Sequence, residues 1–197
     1  MSFRPRHKIV MREGEHTEMH GNGRLWLCEN YHNGKLEGEC KTWYENGQLC
    51  RQEFYRYGNQ EGECKEWYDN GQLCVQKFYM NGDLENEYYE WYENGRPKVQ
   101  TCYLNGELEG EYRSWNWKGY PETREFHRNG KLEGESKCWS GRGLIACMYY
   151  RNEEIIDPTF SFNKKHAMLR VKKYLTRRPD PSINTYIISD LLAVIGK

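Results

Sequence analysis

The chain has 197 residues with 29 basic and 29 acidic side chains, only 37 % hydrophobic residues but 15 % aromatic ones, among them 16 Tyr and 7 Trp. Such a composition argues against a thick aliphatic core and for a thin sheet laced with aromatics. No stretch approaches the roughly 18 apolar residues of a membrane-spanning helix, and MSFRPRHKIV at the N-terminus lacks the apolar run of a signal peptide, so a cytoplasmic setting is expected.

The zero net charge hides an asymmetry. Residues 151–197 carry nine Lys/Arg against five Asp/Glu, a surplus of +4, which leaves −4 on residues 1–150. The two parts therefore point to different partners. Eight cysteines are present, but Cys40/Cys64 and Cys50/Cys74 are equivalent positions about 9–10 Å apart in a sheet with two strands per repeat. That is beyond the roughly 7 Å limit for a disulfide, so reduced cysteines packed as small apolar residues are expected.

After an N-terminal arm (1–6), residues 7–30 form a degenerate first copy of a 24-residue unit. Glu13-Gly14-Glu15 falls on Glu37-Gly38-Glu39, and Asn22-Gly23-Arg24-Leu25 on Asn46-Gly47-Gln48-Leu49. The unit is clearest at 31–54, YHNGKLEGECKTWYENGQLCRQEF. Trp43, Trp67, Trp91, Trp115 and Trp139 recur at that spacing, as do Tyr31, Tyr55, Tyr79, Tyr103 and His127 and two glycine columns. A fixed period of this length signals a repeat architecture, here six units over 7–150.

Each unit contains two turns of the form x-Asn-Gly-x, the strongest short hairpin signal because a type I′ turn needs positive φ at both central residues. The expected product is an antiparallel meander with two strands per unit. With Asn46-Gly47 as a two-residue loop, Tyr44 faces Leu49, Trp43 faces Cys50 and Glu39 faces Phe54. Trp43, Cys50 and Phe54 then share one face with their equivalents, while Tyr44, Leu49 and Tyr55 share the other. The Trp column is expected to hold the sheet together. The glycine of Glu-Gly-Glu is expected to let a neighbouring aromatic lie across the backbone, with Asn86 interrupting that column. Pro97 and Pro121 replace the leucine of Leu49 and Leu73, so weaker pairing is expected there.

After Tyr150 the period fails. Residues 151–197 read as a basic helical tail. Met168, Val171 and Leu175 make an apolar stripe within 163–178, opposite a face carrying Lys164, Lys165, Arg170, Lys172, Lys173, Arg177 and Arg178. Pro179-Asp180-Pro181 ends this helix, and Ser182 caps a second one lined by Ile183, Ile187 and Leu191. The pair is expected to cap the open end of the sheet. The seven cations are candidate partner-binding residues for an acidic protein surface or anionic lipid. Nucleic acid is disfavoured, because Tyr174 is the only aromatic among them.

The pattern Tyr-x-Asn-Gly-x-Leu-x-Gly-Glu-x-x-x-Trp-Tyr-x-Asn-Gly-x-Leu, carried by residues 31–39 and 43–49, resembles the MORN repeat in its Asn-Gly-rich variant. The whole chain, tail included, is similar to MORN-repeat proteins of marseillevirus-type giant viruses. The resemblance implies a mainly β fold: an elongated, single-layer antiparallel β-meander solenoid of 24-residue hairpin repeats, here with a two-helix cap. It also implies a non-enzymatic scaffold that binds a protein partner or itself, and, for a viral protein, a place in the host cytoplasm or virion as a structural or capsid-associated component. Lipid binding was proposed for the family, and some bacterial relatives are labelled antitoxins, which gives the alternatives of an anionic-membrane module or a toxin-neutralising or regulatory binder.

No catalytic, cofactor or metal site is expected. His16-Thr17-Glu18-Met19-His20 has its Glu one place late for a zincin motif. On a strand its histidines stand about 13 Å apart. The Glu column Glu39, Glu63, Glu87, Glu111 and Glu135 recurs in every unit, which suits solvated partners of Lys and Arg rather than a unique catalytic pair.

Overall fold

The computed structural model describes residues 12–141 and 143–159, and the expected helices of the tail lie outside them. The described chain is one open, all-antiparallel sheet, and no helix occurs among the described residues. Each long strand pairs with the next in sequence, from Gly14–Met19 and Leu25–His32 to Gly143–Arg151 and Glu154–Thr159. The mainly β meander read from the 24-residue period is therefore what forms. It runs nine residues past Tyr150 through one further hairpin, in which Arg151 pairs with Glu154.

The two Asn-Gly turns of a unit are not the same turn. Asn33 (φ 51°) and Gly34 (φ 75°) are both left-handed, and His32 pairs directly with Lys35. This is the two-residue type I′ hairpin. The same geometry recurs at Tyr57-Gly58, Asn81-Gly82, Asn105-Gly106, Asn129-Gly130 and Asn152-Glu153. At the second turn only Gly47 has positive φ (90°), its N–H donates to the Tyr44 carbonyl at 2.8 Å, and the Tyr44 N–H donates to the Gln48 carbonyl at 2.9 Å. Glu45-Asn46-Gly47 is therefore a three-residue loop, a type I turn closed by a left-handed glycine with its bulge.

The expected register fails at this loop. Glu39 does pair with Phe54, and Thr42 pairs with Arg51, but Trp43 pairs with Leu49 rather than Cys50. Cys50 is the extra residue of the bulge. The same shift occurs at Trp67/Leu73, Trp91/Pro97 and Trp115/Pro121. The prolines, where weaker pairing was expected, keep the same register, because each opens its strand, where a missing N–H is tolerated. In the last unit the turn shortens to two residues: Ser140 pairs with Gly143, and Tyr150 comes opposite Gly134 in the place that the period gives to Arg151.

Gly38, Gly62, Gly110 and Gly134 each pair with the aromatic column, at Tyr55, Tyr79, His127 and Tyr150. The expected reason was wrong, however. A Cβ at Gly38, Gly62 or Gly110 would meet nothing within 4 Å, so no ring lies across these residues. What requires glycine is the backbone, with φ of 80–93° at these positions. Asn86 fills the same place at φ 62°, since Asn tolerates the left-handed region better than most residues.

Alternation gives the sheet two chemically different faces. On one lie Cys40, Arg51, Glu53, Tyr55, Cys64 and their equivalents, and here the covered side chains gather: Cys64 is 1 % exposed, Glu125 3 % and His127 4 %. On the other lie Glu39, Lys41, Gln52 and Phe54 with their equivalents, all partly exposed.

Candidate interaction surfaces

The sheltered face is a polar network, because a single layer has no second sheet to bury an aliphatic core against. Arg51 donates to Glu53 at 2.7 Å, and Gln60 of the next unit donates to the same carboxylate oxygen at 2.6 Å. Lys77 reaches Glu66 at 3.0 Å. Tyr88 and Lys98 both donate to Glu90, each at 2.6 Å. Burial works to raise the Glu90 pKa, but these two donors hold it below the ordinary carboxylate range. Burial also pushes the Tyr55 phenol to about 12 and the Cys40 thiol to about 11. Cys40 is thus a packed, unreactive thiol, and all eight cysteines are free thiols, as the repeat spacing requires.

The most enclosed group of this face is Glu125, His127 and Ser136. The His127 imidazole lies 3.3 Å from Glu125 and edge-on to Tyr112, with centroids 6.3 Å apart. Ser136 donates to Glu125 at 3.5 Å, not to the histidine, so the three do not form the nucleophile–base pair that acyl transfer needs.

The opposite face carries the recurring Glu column, with the expected cation partners at four of its five positions and Tyr89 in their place at Glu87. Lys41 holds Glu39 at 2.7 Å, Lys65 holds Glu63 at 2.6 Å, and Lys137 holds Glu135 at 2.6 Å. Glu111 is gripped by Arg113 at 2.6 Å and by Arg124. Hydrogen bonds from Lys41 and Gln52 lower the Glu39 pKa, and those from Lys137 and Tyr149 lower that of Glu135. Burial alone would raise the Glu111 pKa, but the two arginines bring it down. Such half-exposed pairs contribute little individually. The five tryptophans of the column are half-buried at bulges, Trp43, Trp67, Trp91 and Trp115 beside three-residue turns and Trp139 beside the shortened one, and Trp91 stacks on Tyr89 with centroids 5.6 Å apart.

Sequence reasoning missed the contacts that join unit to unit at the two rims. A type I′ turn leaves its two central amides pointing outward. Here the previous unit accepts both. The Tyr57 N–H donates to the Glu37 carboxylate at 2.7 Å, and the Gly58 N–H to the Leu36 carbonyl at 2.9 Å. Glu13, Glu61, Glu85, Glu109 and Glu133 accept from Asn33, Asn81, Asn105, Asn129 and Asn152 in the same way. The other rim uses side-chain donors that are mostly neutral, with Arg24 and Arg96 adding a guanidinium N–H to the Glu45 and Trp117 carbonyls. The Tyr44 hydroxyl donates to the Trp67 carbonyl at 2.6 Å, and the Asn46 amide to the Asp69 carbonyl at 2.7 Å. Tyr68 and Tyr92 repeat the first contact, Asn22, Asn70 and Asn94 the second. The signal was present in the sequence. The first Glu of Glu-Gly-Glu occurs in all six units, whereas the glycine that drew attention gives way to Asn86.

His16 lies on the first strand, 3.1 Å from Glu18, and His20 lies just past its end, 2.7 Å from the Trp43 carbonyl, so the two have separate partners. No group of three or more metal-ligating side chains occurs among the described residues. The tail residues Lys164, Lys165, Arg170, Lys172, Lys173, Arg177 and Arg178 lie outside the described residues.

A family model described as a MORN repeat variant matches residues 36–57, 60–81 and 84–105. These stretches are similar to the MORN repeat variant. Each runs from just after one type I′ turn into the next, and so contains one acceptor glutamate (Glu37, Glu61 or Glu85), one Trp-Tyr pair and one three-residue turn. The units on either side share this hydrogen-bond geometry, so the repeat geometry extends beyond the matched residues. MORN repeats are generally protein- or membrane-interaction modules and generally non-catalytic. No curated protein matches the chain.

Proposed function

We propose that the protein is a non-enzymatic interaction scaffold that associates with a protein partner or with further copies of itself. One observation carries this reading: the chain invests its polar groups in repetition. Glutamate–amide contacts on one rim and tyrosine and asparagine contacts on the other recur from unit to unit, which makes the sheet a stiff ruler with the same chemistry presented about every 9–10 Å. A ruler of that kind suits binding along a length rather than chemistry at a point. The likeness to repeat proteins of marseillevirus-type viruses extends the proposal to a structural component of a particle. Crosslinking with mass spectrometry on native extracts or particles is the test. Crosslinks from Lys164, Lys165, Lys172 or Lys173 to an abundant structural protein or to a second copy support the scaffold. A strictly monomeric protein without intermolecular crosslinks overturns it.

The seven cations of the tail favour a second reading, attachment to an anionic membrane surface. It requires salt-sensitive cosedimentation with anionic vesicles that disappears when 160–197 is removed, and absence of binding at low salt ends it.

A further inference from the structure

Asparagine followed by glycine is a chemically fragile pair. Glycine has no side chain to shield its backbone nitrogen, so that nitrogen can attack the asparagine Cγ as a nucleophile. Ammonia leaves and a cyclic imide forms. Water then opens the imide at either carbonyl, giving aspartate or, with the backbone rerouted through Cβ, isoaspartate. The reaction consumes one water, releases one ammonia and needs no oxidant or cofactor. The chain contains eight Asn-Gly pairs, four at each rim. All eight asparagines are exposed, so access of water does not tell them apart.

The side-chain hydrogen bonds do. In the three-residue turns both ends of the carboxamide are held. The Asn46 Nδ2 donates to the Asp69 carbonyl at 2.7 Å, and its Oδ1 accepts the Gln48 N–H at 2.8 Å. Asn22, Asn70 and Asn94 are clasped in the same two ways. Each Oδ1 contact closes the side chain onto the backbone two residues on, and Cγ cannot swing to the glycine nitrogen until both bonds open. In the type I′ turns the grip is on the main chain instead. The backbone N–H groups of Asn81, Asn105 and Asn129 lie on Glu61, Glu85 and Glu109 at 2.8, 2.7 and 2.8 Å. Their carboxamides make no hydrogen bond among the described residues. Asn33 stands between the two classes, with its Nδ2 3.0 Å from the His32 Nε2. The glycine N–H is donated to a carbonyl at both rims, from Gly47 to Tyr44 and from Gly82 to Gln60. That bond slows attack in both classes and does not set their order.

Conversion in a type I′ turn strikes the joint between units. At Asn81 it sets a new carboxylate beside the one that accepts the Asn81 N–H, and the two repel. Isoaspartate also lengthens the backbone between two donors that must reach the preceding unit together, the Asn81 N–H on Glu61 and the Gly82 N–H on the Gln60 carbonyl. The longer link moves the second donor off its acceptor.

We propose that Asn81, Asn105 and Asn129 are sites of spontaneous deamidation, and that their conversion loosens the type I′ rim while the three-residue rim is spared. The test incubates the full folded chain in mildly alkaline buffer, beside a sample unfolded in urea, and follows each amide by peptide mapping with mass spectrometry. The unfolded chain is expected to lose all eight amides at similar rates, because glycine follows every one. In the folded chain, loss at Asn81, Asn105 and Asn129 is expected to outpace loss at Asn46, Asn70 and Asn94 by about tenfold or more, the worth of two ordinary hydrogen bonds together. Equal rates in the two classes, or faster loss at Asn46, Asn70 and Asn94, overturn the proposal. Retention of all the amides in the folded chain while the unfolded one loses them overturns it too, since the glycine contacts would then suffice for protection. Molecules converted at Asn81, separated by charge, should exchange the Gly82 amide hydrogen several-fold faster than unconverted ones. Undiminished protection of Gly82 in that fraction overturns the link between deamidation and the rim.

Discussion

The two rims of the sheet solve one problem with different chemistry. Both must hold a turn against the turn of the next unit, one period along the chain. The type I′ rim exposes backbone donors and meets them with a carboxylate and a carbonyl: Glu61 takes the Asn81 N–H, and the Gln60 carbonyl takes that of Gly82. The three-residue rim turns its own amides inward, as with the Gly71 N–H on the Tyr68 carbonyl, so side chains must supply the donors, Tyr68 to the Trp91 carbonyl and Asn70 to the Glu93 carbonyl. The staples of one rim are therefore carboxylates, and those of the other are neutral side chains, joined in two units by the Arg24 and Arg96 guanidinium groups on the Glu45 and Trp117 carbonyls.

Acid is the widest lever on that difference. Glu13, at the start of the carboxylate rim, has its pKa lowered by the Asn33 backbone N–H and then by His32, and Glu39, Glu90, Glu111 and Glu135 on the two faces are lowered as well. A carboxylate with a depressed folded-state pKa contributes stability above its unfolded value of 4.5 that is lost as pH falls through the lowered one. Urea midpoints are expected to hold from pH 7 to about 4.5 and to fall below it. Asn33 amide protection should decline in the same window. A midpoint unchanged down to pH 3 would remove these carboxylates from the account of stability.

Backbone constraint comes next. Gly71 has φ 83°, and a Cβ there would stand 2.9 Å from the Gln48 Oε1 of the neighbouring turn. Gly71→Ala should cost about 1–2 kcal/mol from the left-handed backbone alone. Equal stability of this variant and the parent in urea would show that the three-residue turn is not fixed by its glycine.

The staples themselves are smaller. Tyr68→Phe leaves the Trp91 carbonyl without its hydroxyl donor, and Glu61→Ala leaves the Asn81 amide without its carboxylate. Each should cost about 0.5–1.5 kcal/mol. Glu61→Gln keeps a neutral acceptor and should recover most of that loss. The comparison between rims sharpens here. Added salt should change the cost of Glu61→Gln and leave that of Tyr68→Phe unmoved, because only one of the two contacts involves a charge.

What could be read beforehand divides along the same lines. Strand positions, two hairpins per unit, the pairing of Glu39 with Phe54 and the solvated pairs of the Glu39 column follow from local spacing, and local spacing is what a sequence displays. The bulge at Cys50 was hidden because Asn-Gly serves both turn types. Only the distance between Trp43 and Leu49 distinguishes them, and it fits a two-residue or a three-residue loop equally until the flanking hydrogen bonds are known. The Glu37 and Tyr44 contacts escaped for another reason. They link residues 20 and 23 positions apart, and in a chain of period 24 every such pair is equally repeated. Which face is sheltered was not legible, because aromatic mass drew attention to the tryptophans, while the smaller Cys64, Thr101 and Ser136 are the more completely covered.

The smallest expected effect has the opposite sign. In five of the six type I′ turns the first central residue is Asn, and in one it is Tyr57, at φ 52° and 65 % exposed. Tyrosine gains nothing from the left-handed region, whereas Asn tolerates it through local hydrogen bonding. The ring's visible compensation is the Arg56 guanidinium, 5.5 Å from its centroid, an exposed contact of about 0.5–1 kcal/mol. Tyr57→Asn removes the strain, keeps the backbone N–H that Glu37 accepts, and loses the cation–π contact. The balance should be a gain of a few tenths of a kcal/mol, on the order of Gly/Asn backbone effects in turns. If the urea midpoint falls instead, the Arg56–Tyr57 pair outweighs the turn. That would mark Tyr57, the most exposed tyrosine among the described residues, as retained for its side chain rather than tolerated in its turn.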